Sequence, residues 1–485
     1  MLLRVATKIG QIAQELSRVN PWWRSSAWSK TDPDLTETRQ TGLNYRSGAL
    51  DDLTSGSLYL LRGPRRVGKT VTVKQAIEDL LSAGTAPTSI VRVAADGWDA
   101  KDLRTLLQNV ALPLLPEGSR RYWFIDEVSA VTGVWDQQVK WLRDNDPEFR
   151  RSTVVLTGSN AAALTEAGGA LAGRRGDGAW LDRTLLPMGF RTFATIILGT
   201  DAPDAPDAPD VPAVPVEDLH CPAASEAYHQ ALPWLDQLVE VWELYLLYGG
   251  FPRAVAAARA SQPIPAAFVE DLFSVVSADV FKASRLPAVT EMALLERLWS
   301  TIASPANLSS VAQDIGTSPD IVARHVGYLR DAFLLWRCPQ RADAAWLARD
   351  RAQDKLYAID PLIARLPHLR NSARPDIDPT ALTEMQIGLA LRRRVLTERP
   401  GADNDEFLFH VRTPARKEID FVAEDLGSVA IEGKYIEGGN WRSEAATVTA
   451  SSWDGILVTR NVLETPQDSS AWAVPAAILG FLLDT

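Results

Sequence analysis

The chain of 485 residues has only two cysteines, Cys221 and Cys338, and they lie far apart. This count and spacing provide neither a disulfide framework nor a zinc site, and they suit a reducing cytoplasm. No apolar run reaches the ~18 residues that would indicate a membrane span. Residues 1–20 have an amphipathic helical pattern with charges inside it, and they lack the apolar core and cleavage site of a signal peptide. The sequence therefore predicts a cytoplasmic protein.

The chain also lacks an excess of positively charged residues. The chain has 50 Lys and Arg against 61 Asp and Glu, a formal net charge of −11. This balance argues against a surface coated for non-specific nucleic-acid binding, because phosphate contacts need clustered cations. Any contact with DNA would come from a local patch. The length suggests about three domains at ~150 residues each.

An eight-residue motif follows the apolar run 58–61 and precedes a helical pattern over 71–81. Its residues are Gly63, Pro64, Arg65, Arg66, Val67, Gly68, Lys69 and Thr70. This is G-x-x-x-x-G-K-T between a buried strand and a helix, the context that a phosphate loop requires. The glycines let backbone N–H groups turn towards a phosphate, and the helix N-terminus adds positive potential. Lys69 would bind the β- and γ-phosphates and Thr70 would ligate Mg²⁺, so the sequence predicts binding of a nucleoside triphosphate.

Two carboxylates, Asp126 and Glu127, follow the apolar strand pattern 122–125. This is the arrangement of a Walker B motif, in which Asp126 holds the Mg²⁺ shell and Glu127 orients or deprotonates the attacking water. The alternative is an acidic N-cap that closes a buried strand. The phosphate loop upstream favours the Walker B interpretation.

A third strand pattern, residues 152–156, is followed by four polar or small residues, 157–160. A polar side chain there could sense the γ-phosphate from the neighbouring strand end. Thr157 and Asn160 are equal candidates, and either could instead be the N-cap of the next helix.

Strand and helix patterns alternate over residues 51–195, which predicts an α/β fold with a parallel sheet, helices on both faces and a nucleotide at the carboxyl ends of the strands. The domain boundaries that we predict are a lead-in at 1–50, a P-loop core at 51–200, a linker at 201–217, a helical lid at 218–290, a winged helix at 291–370 and an α/β domain at 371–485. The linker includes a tandem Ala-Pro-Asp repeat at 202–210, where proline at every third position excludes a helix or a central strand.

The winged-helix prediction is based on a helix–turn–helix pattern over 308–329 and a following strand pattern. Its exposed positions include Arg324, His325 and Arg330, but also Asp320 and Asp331. This is a poor electrostatic footprint for DNA, so packing between domains is favoured over DNA contact.

Four charged residues near the C-terminus form a second set. Asp420 lies in a strand pattern at 418–422, Glu432 and Lys434 share one face of the next strand pattern, and Glu384 lies on an amphipathic helix at 382–394. This is the set of metal-dependent nucleases of the PD-(D/E)-x-K type. Asp420 and Glu432 would hold Mg²⁺, Lys434 would position or deprotonate the nucleophile, and Glu384 would complete the site. A solvated hairpin with a salt bridge explains the spacing equally well.

The whole chain resembles the prokaryotic AAA-type ATPases that end in a conserved domain of unknown function related to restriction-endonuclease folds. The resemblance lies in residues 20–23, 63–70, 125–127, 171–174, 248–252, 329–335, 360–361, 418–421 and 431–434. It implies an AAA-type core, a lid, a winged helix and a restriction-endonuclease-like C-terminal domain, with ATP as the nucleotide. It also implies that Arg174 acts on the γ-phosphate as a sensor or finger, and a finger acting in trans would require an oligomer. The alternative for Arg174 is a salt bridge in an exposed turn.

These motifs predict two possible functions, both with ATP and Mg²⁺ as cofactors. In the first, ATP hydrolysis is coupled to a Mg²⁺-dependent nuclease-like domain that acts on DNA through the C-terminal and winged-helix domains. In the second, a regulatory ATPase has a non-catalytic C-terminal domain that binds protein or nucleic acid. The acidic net charge favours the second.

Overall fold

The computed structural model describes residues 2–43, 45–109, 112–113, 115, 119–199, 211–277, 287–342, 345–398, 407–413, 417–438, 440–449 and 453–484. The Ala-Pro-Asp repeat lies outside these residues. The chain divides into two compact units. Unit 1 comprises Met1–Leu186 with Asp331–Phe333, and unit 2 comprises Pro187–Arg330 with Leu334–Thr485.

Unit 1 alternates strands and helices. Its strands are β1 (Leu58–Arg62), β2 (Ile90–Ala94), β3 (Tyr122–Asp126), β4 (Thr153–Gly158) and β5 (Asp182–Thr184). Its α-helices are α1 (Leu2–Val19), α2 (Trp28–Thr31), α3 (Pro33–Gln40), α4 (Lys69–Ser82), α5 (Ala100–Asn109), α6 (Trp135–Asn145), α7 (Pro147–Arg151) and α8 (Ala161–Ala170). Short 3₁₀ helices span Pro21–Trp23, Pro87–Ser89 and Val128–Ala130.

The five strands of unit 1 form one parallel sheet in the order β2-β3-β4-β1-β5. Alternate residues of each strand point to opposite faces, so Leu60 packs in one hydrophobic cluster and Leu61 in another. The first cluster includes residues of α1, α5, α6 and α8, and the second includes residues of α3 and α4. The predicted α/β core, a parallel sheet between two helical layers, is confirmed.

Unit 2 begins with helices. They are α9 (Phe190–Leu198), α10 (Pro222–Ala231), α11 (Leu235–Tyr248), α12 (Pro252–Arg259), α13 (Ala266–Val276), α14 (Ala288–Trp299), α15 (Leu308–Asp314) and α16 (Pro319–Asp331), with 3₁₀ helices at Val216–Asp218 and Leu232–Trp234. An antiparallel pair follows, β6 (Leu335–Cys338) and β7 (Lys355–Ala358). Three helices come next: α17 (Pro361–Ala364), α18 (Leu366–Arg370) and α19 (Pro379–Glu398).

The rest of unit 2 is a mixed sheet with its helices. The strands are β8 (Phe409–Arg412), β9 (Glu418–Val422), β10 (Val429–Gly433), β11 (Asp454–Thr459) and β12 (Ala471–Pro475), and the helices are α20 (Trp441–Glu444), α21 (Ala446–Thr449) and α22 (Ala476–Leu483). The sheet order is β12-β11-β10-β9-β8, antiparallel from β8 to β10 and parallel from β10 to β12. Within the described ranges, none of the helices combines the length and apolar character needed to cross a bilayer.

Candidate functional site

The phosphate loop lies between β1 and α4, and its backbone is shaped by two glycines. Gly63 has φ +149°, and a side-chain carbon there would lie 2.1 Å from the carbonyl oxygen of Leu185. Gly68 has φ +105° and is the N-cap of α4. L-residues rarely adopt these conformations, so the loop depends on glycine at both positions. α4 begins directly at Lys69.

The side chain of Lys69 is buried against the phosphate loop. Its ammonium nitrogen donates to the carbonyl oxygens of Gly63 and Pro64, each at 2.9 Å. A buried ammonium needs partners of this kind, and a polyphosphate is a stronger one because it is charged. The lysine is thus held inside the loop, where the motif predicts the phosphates.

Asp126 ends β3 and is almost fully buried. Its Oδ1 accepts a hydrogen bond from the Thr157 hydroxyl at 2.6 Å, and its Oδ2 accepts one from Arg92 at 2.7 Å. Burial acts to raise the pKa of Asp126, but the charge of Arg92 and hydrogen bonds from Thr157, Arg92 and Thr70 hold that pKa below its ordinary value. Asp126 is therefore ionised and in contact with the hydroxyl of Thr70.

Glu127 follows in a left-handed conformation, with φ +58°. Its Oε1 accepts hydrogen bonds from the hydroxyls of Ser129 and Ser159, both at 2.7 Å, and from the backbone N–H of Ser159 at 3.2 Å. Its own N–H donates to the hydroxyl oxygen of Thr157 at 3.0 Å. Glu127 is thereby fixed at the carboxyl edge of the sheet.

The two sensor candidates occupy different places. Thr157 is fully buried between Asp126 and the backbone of Glu127, so its hydroxyl positions the carboxylate pair. Asn160 caps α8, because its side-chain oxygen accepts a hydrogen bond from the N–H of Ala163 at 2.9 Å. Asn160 thus makes the N-cap contact that the sequence left open as the alternative to a γ-phosphate sensor.

Sequence reasoning missed several residues at this edge. Arg92 lies on β2 beside β3, Ser129 and Ser159 lie in the following turns, and Asp96 follows β2. Partial burial and the charges of Glu127 and Asp126 raise the pKa of Asp96, which adds a third carboxylate to the edge. Asp96 had a sequence signal, since it follows a strand pattern as Asp126 does.

Arg174 lies at the opposite edge of the sheet. The next residue, Arg175, accepts through its backbone oxygen a hydrogen bond from the N–H of Leu58, the first residue of β1. The guanidinium of Arg174 pairs with Asp144 at 2.7 Å, and both side chains are partly exposed. The phosphate loop follows the last residue of β1, so Arg174 and the loop of the same chain are separated by the length of that strand.

ATP and Mg²⁺ fit the residues at the carboxyl edge. Mg²⁺ prefers oxygen ligands and is usually held by one or two protein groups together with phosphates. The adjoining Asp126 carboxylate and Thr70 hydroxyl are such oxygen donors. The loop backbone, the N-terminus of α4 and Lys69 supply the positive potential that a polyphosphate needs.

Comparison with known families agrees with this geometry: residues 55–194 match the family model of an AAA domain. Residues 55–194 form an AAA-type P-loop ATPase domain, most of which lies in unit 1. This domain covers β1 to β5 and both carboxylates of the Walker B motif. The AAA-type part of the predicted resemblance is confirmed. A second stretch, residues 239–372, matches a domain of unknown function, DUF8612.

Several solved structures resemble the chain at low identity. The Walker-type ATPase PABY2304 of Pyrococcus abyssi is 12% identical with a TM-score of 0.37, and the match covers 69% of this chain and 95% of that one. The ORC2 protein of Aeropyrum pernix, in ADPNP–ADP complexes, is 13% identical with a TM-score of 0.33, covering 70% and 93%. A RuvB mutant of Thermotoga maritima is 16% identical with a TM-score of 0.27, covering 58% and 82%. No curated protein matches the chain.

The C-terminal charged residues come together in unit 2, around a lysine that the sequence did not point to. Lys355, on β7, donates to Oδ1 of Asp420 at 2.7 Å and to Oε1 of Glu384 at 3.0 Å. Asp420 lies on β9 and Glu384 on α19, and all three side chains are buried. The hydroxyl of Tyr357 also donates to Oε1 of Glu384, at 2.6 Å. We call Lys355, Glu384, Asp420, Glu432 and Lys434 the acidic cluster.

The other two members of the acidic cluster form a separate pair. Lys434 contacts Oε1 of Glu432 at 2.8 Å, and Glu432 is buried while Lys434 is partly exposed. Among the described residues, Oε2 of Glu432 has no hydrogen-bond partner. Gly433 lies between them, and a side-chain carbon there would come within 3.1 Å of the Cβ of Glu384. The glycine therefore permits the close approach of β10 to α19.

Burial and neighbouring charges together shift the pKa values of Glu384, Glu432 and Lys355. Burial and the charge of Asp420 raise the pKa of Glu384, and the same two causes raise the pKa of Glu432. Burial acts to lower the pKa of Lys355, but Asp420 and Glu384 outweigh it and raise that pKa. Lys355 is therefore a permanent cation.

Mg²⁺ does not fit the acidic cluster as it stands. Both oxygens of Asp420 are engaged, because Oδ2 accepts the N–H of Gly433 at 2.7 Å while Oδ1 contacts Lys355. Within the part of the chain that the structure describes, no group of three or more His, Cys, Asp or Glu side chains could hold a metal ion. An ammonium thus lies between Asp420 and Glu384, where the sequence predicts Mg²⁺.

The helices α15 and α16 and the β6–β7 pair occupy the region predicted as a winged helix. Arg324 and Arg330 are exposed on α16. His325, expected at an exposed position, is buried, and its Nδ1 lies 2.6 Å from the carbonyl oxygen of Ile321. His325 is therefore not one of the exposed basic positions that a contact with DNA would need.

Proposed function

We propose that this protein binds and hydrolyses ATP. The observation that carries the proposal is the placement of the ionised Asp126 against Thr70, with Glu127 next to it at the carboxyl edge of the AAA domain. A metal-binding carboxylate followed by a second carboxylate is typical of hydrolysing ATPases.

Each residue at this edge has a role in the proposal. The loop N–H groups and Lys69 bind the phosphates of ATP, and Asp126 with Thr70 would hold Mg²⁺, which neutralises phosphate charge when bound. Glu127 accepts the proton of the attacking water. Thr157, Ser129 and Ser159 position Glu127 and Asp126 through the hydrogen bonds described above. Arg92 balances the charge of Asp126.

The test is ATP binding and turnover by the purified full chain and by Lys69→Ala. We expect the variant to lose ATP binding, because the substitution removes the ammonium that would bind the phosphates. Lys101→Ala, which removes an exposed lysine from α5 of the same domain, is the matched control. Unchanged ATP affinity in Lys69→Ala would overturn the proposal.

For the rest of the chain we propose a regulatory role: ATP binding and hydrolysis would change how unit 2 binds protein or nucleic acid. This is supported by the acidic cluster, in which a lysine and a backbone N–H engage both oxygens of Asp420. We also propose that residues 291–370 act as a winged helix, on the basis of the order α14, α15, α16, β6 and β7.

A Mg²⁺-dependent DNA nuclease is the second candidate. One observation favours it: the four residues of the predicted nuclease motif, Glu384, Asp420, Glu432 and Lys434, lie near one another in unit 2. Incubation of the full chain with single- and double-stranded DNA, Mg²⁺ and ATP tests it. Cleavage that disappears in both Asp420→Ala and Lys434→Ala would establish the nuclease. Intact ATP hydrolysis without cleavage would support the regulatory role.

A further inference from the structure

We propose that Lys355 is a built-in cation that takes the place of a divalent metal ion in the acidic cluster. The sequence motif predicts Mg²⁺ at these residues, whereas in the structure the ammonium of Lys355 lies between Asp420 and Glu384.

Lys355 contacts carboxylates that a metal ion at this place would otherwise bind. Its nitrogen lies 2.7 Å from Asp420 and 3.0 Å from Glu384, and Glu418 is 3.9 Å away. The side chain of Lys355 is only 1% exposed, so these carboxylates are its counter-charges. A lysine enclosed in this way must be paired, since burying an isolated charge is very unfavourable.

The buried carboxylates of Asp420 and Glu384 in turn need the positive charge of Lys355. Asp420 and Glu384 are both buried and both contact the ammonium of Lys355, so their carboxylates lie close enough to repel each other. A cation between the two relieves that repulsion. Lys434 is no substitute, because it contacts Glu432 instead. Without the ammonium, the carboxylates of Asp420 and Glu384 would face each other unneutralised. They would then bind either protons or a metal ion.

Lys355 also joins separate elements. It lies on β7, 29 residues before Glu384 on α19 and 65 residues before Asp420 on β9. Tyr357, two residues further along β7, makes a second bond to Glu384. The same contacts that fill the acidic cluster thus attach the β6–β7 hairpin to the mixed sheet.

The test compares the wild type with Lys355→Met, which keeps the apolar stem and removes the charge. Mn²⁺ is the probe, without nucleotide, with binding followed by electron paramagnetic resonance and stability by thermal unfolding. We expect the wild type to show no Mn²⁺ binding that depends on Asp420. Lys355→Met should unfold at a lower temperature in EDTA, by on the order of 10 °C, and Mn²⁺ should recover part of that loss.

The double variant Lys355→Met, Asp420→Asn is the control, and it should gain nothing from Mn²⁺. A folded Lys355→Met that neither binds Mn²⁺ nor gains stability from it would overturn the inference. If Lys355→Met does not fold, wild type and Asp420→Asn decide the matter alone. Mn²⁺ binding by the wild type that Asp420→Asn abolishes would show that the cluster is a metal site after all, whereas equal Mn²⁺ signals would support Lys355 as the resident cation.

Discussion

The hydroxyl of Thr157 donates a 2.6 Å hydrogen bond to Oδ1 of Asp126, across two neighbouring strands. The same hydroxyl oxygen accepts the N–H of Glu127. Because β4 lies between β1, which leads into the phosphate loop, and β3, which ends in the carboxylate pair, Thr157 connects the two halves of the nucleotide site. Its position is set by strand order rather than by proximity in sequence.

Thr157→Val should remove the hydrogen bonds of the Thr157 hydroxyl without changing the volume of the side chain. Valine keeps the shape of threonine, but it leaves the partly buried N–H of Glu127 without its acceptor and removes one of the hydrogen-bond donors to Asp126. We expect the free energy of unfolding to fall by about 1–3 kcal/mol and ATP turnover to fall with it. Chemical denaturation and a steady-state ATPase assay measure the two effects. Thr157→Ser keeps the hydroxyl and should retain most of both, and equal losses in the two variants would contradict this role.

Glu127→Gln should separate binding from hydrolysis. The amide keeps an oxygen that can accept hydrogen bonds from Ser129 and Ser159, but it cannot take a proton from water. We expect ATP affinity to persist while turnover falls by roughly 10²–10⁴-fold. Equilibrium binding and single-turnover hydrolysis are the measurements. Glu166→Gln, at an exposed position of α8, is the matched control, and normal turnover in Glu127→Gln would assign the base elsewhere.

Arg174→Ala tests whether the predicted finger acts at all. The structure favours the salt-bridge interpretation, because Arg174 pairs with Asp144 at the amino edge of the sheet. An exposed pair of this kind contributes about 1 kcal/mol or less. We therefore expect Arg174→Ala and Asp144→Ala to have similar unfolding temperatures and near wild-type ATP turnover. A loss confined to Arg174→Ala, and partly restored by mixing with Lys69→Ala, would instead show that Arg174 acts on a second copy of the chain.

His410 should make the stability of unit 2 sensitive to acid. Burial, more than any other cause, lowers the pKa of His410 to about 4, below the ordinary value of 6.5. Between pH 4 and pH 6.5, His410 is protonated in the unfolded chain but not in the folded chain. The contribution of neutral His410 to the free energy of unfolding is therefore complete above pH 6.5 and is lost as the pH falls towards 4. The loss amounts to about 3 kcal/mol.

Urea unfolding at a series of pH values measures the effect of His410. The wild type should lose more stability between pH 6.5 and 4 than His410→Gln, whereas the exposed His229→Gln should behave like the wild type. Parallel pH profiles for wild type and His410→Gln would show that His410 is not the group responsible.

Much of the nucleotide site could be predicted from the sequence, because its main parts are contiguous. Gly63 to Thr70 and the pair Asp126-Glu127 each follow an apolar strand, and parallel strands end at one edge of a sheet. Arg92 and Ser159 could not be found in this way. Their partners are reached only through the strand order and the turns, which local spacing does not encode.

The sequence by itself determined the phosphate loop, the carboxylate pair and the α/β alternation of the AAA domain, because short-range spacing and backbone conformation specify them. It also pointed to Asp420, Glu432, Lys434 and Glu384 as one group. Only the tertiary structure decided what occupies that group. Lys355 is distant in sequence, and it reaches Asp420 and Glu384 because folding buries their carboxylates beside β7, where an internal cation is needed.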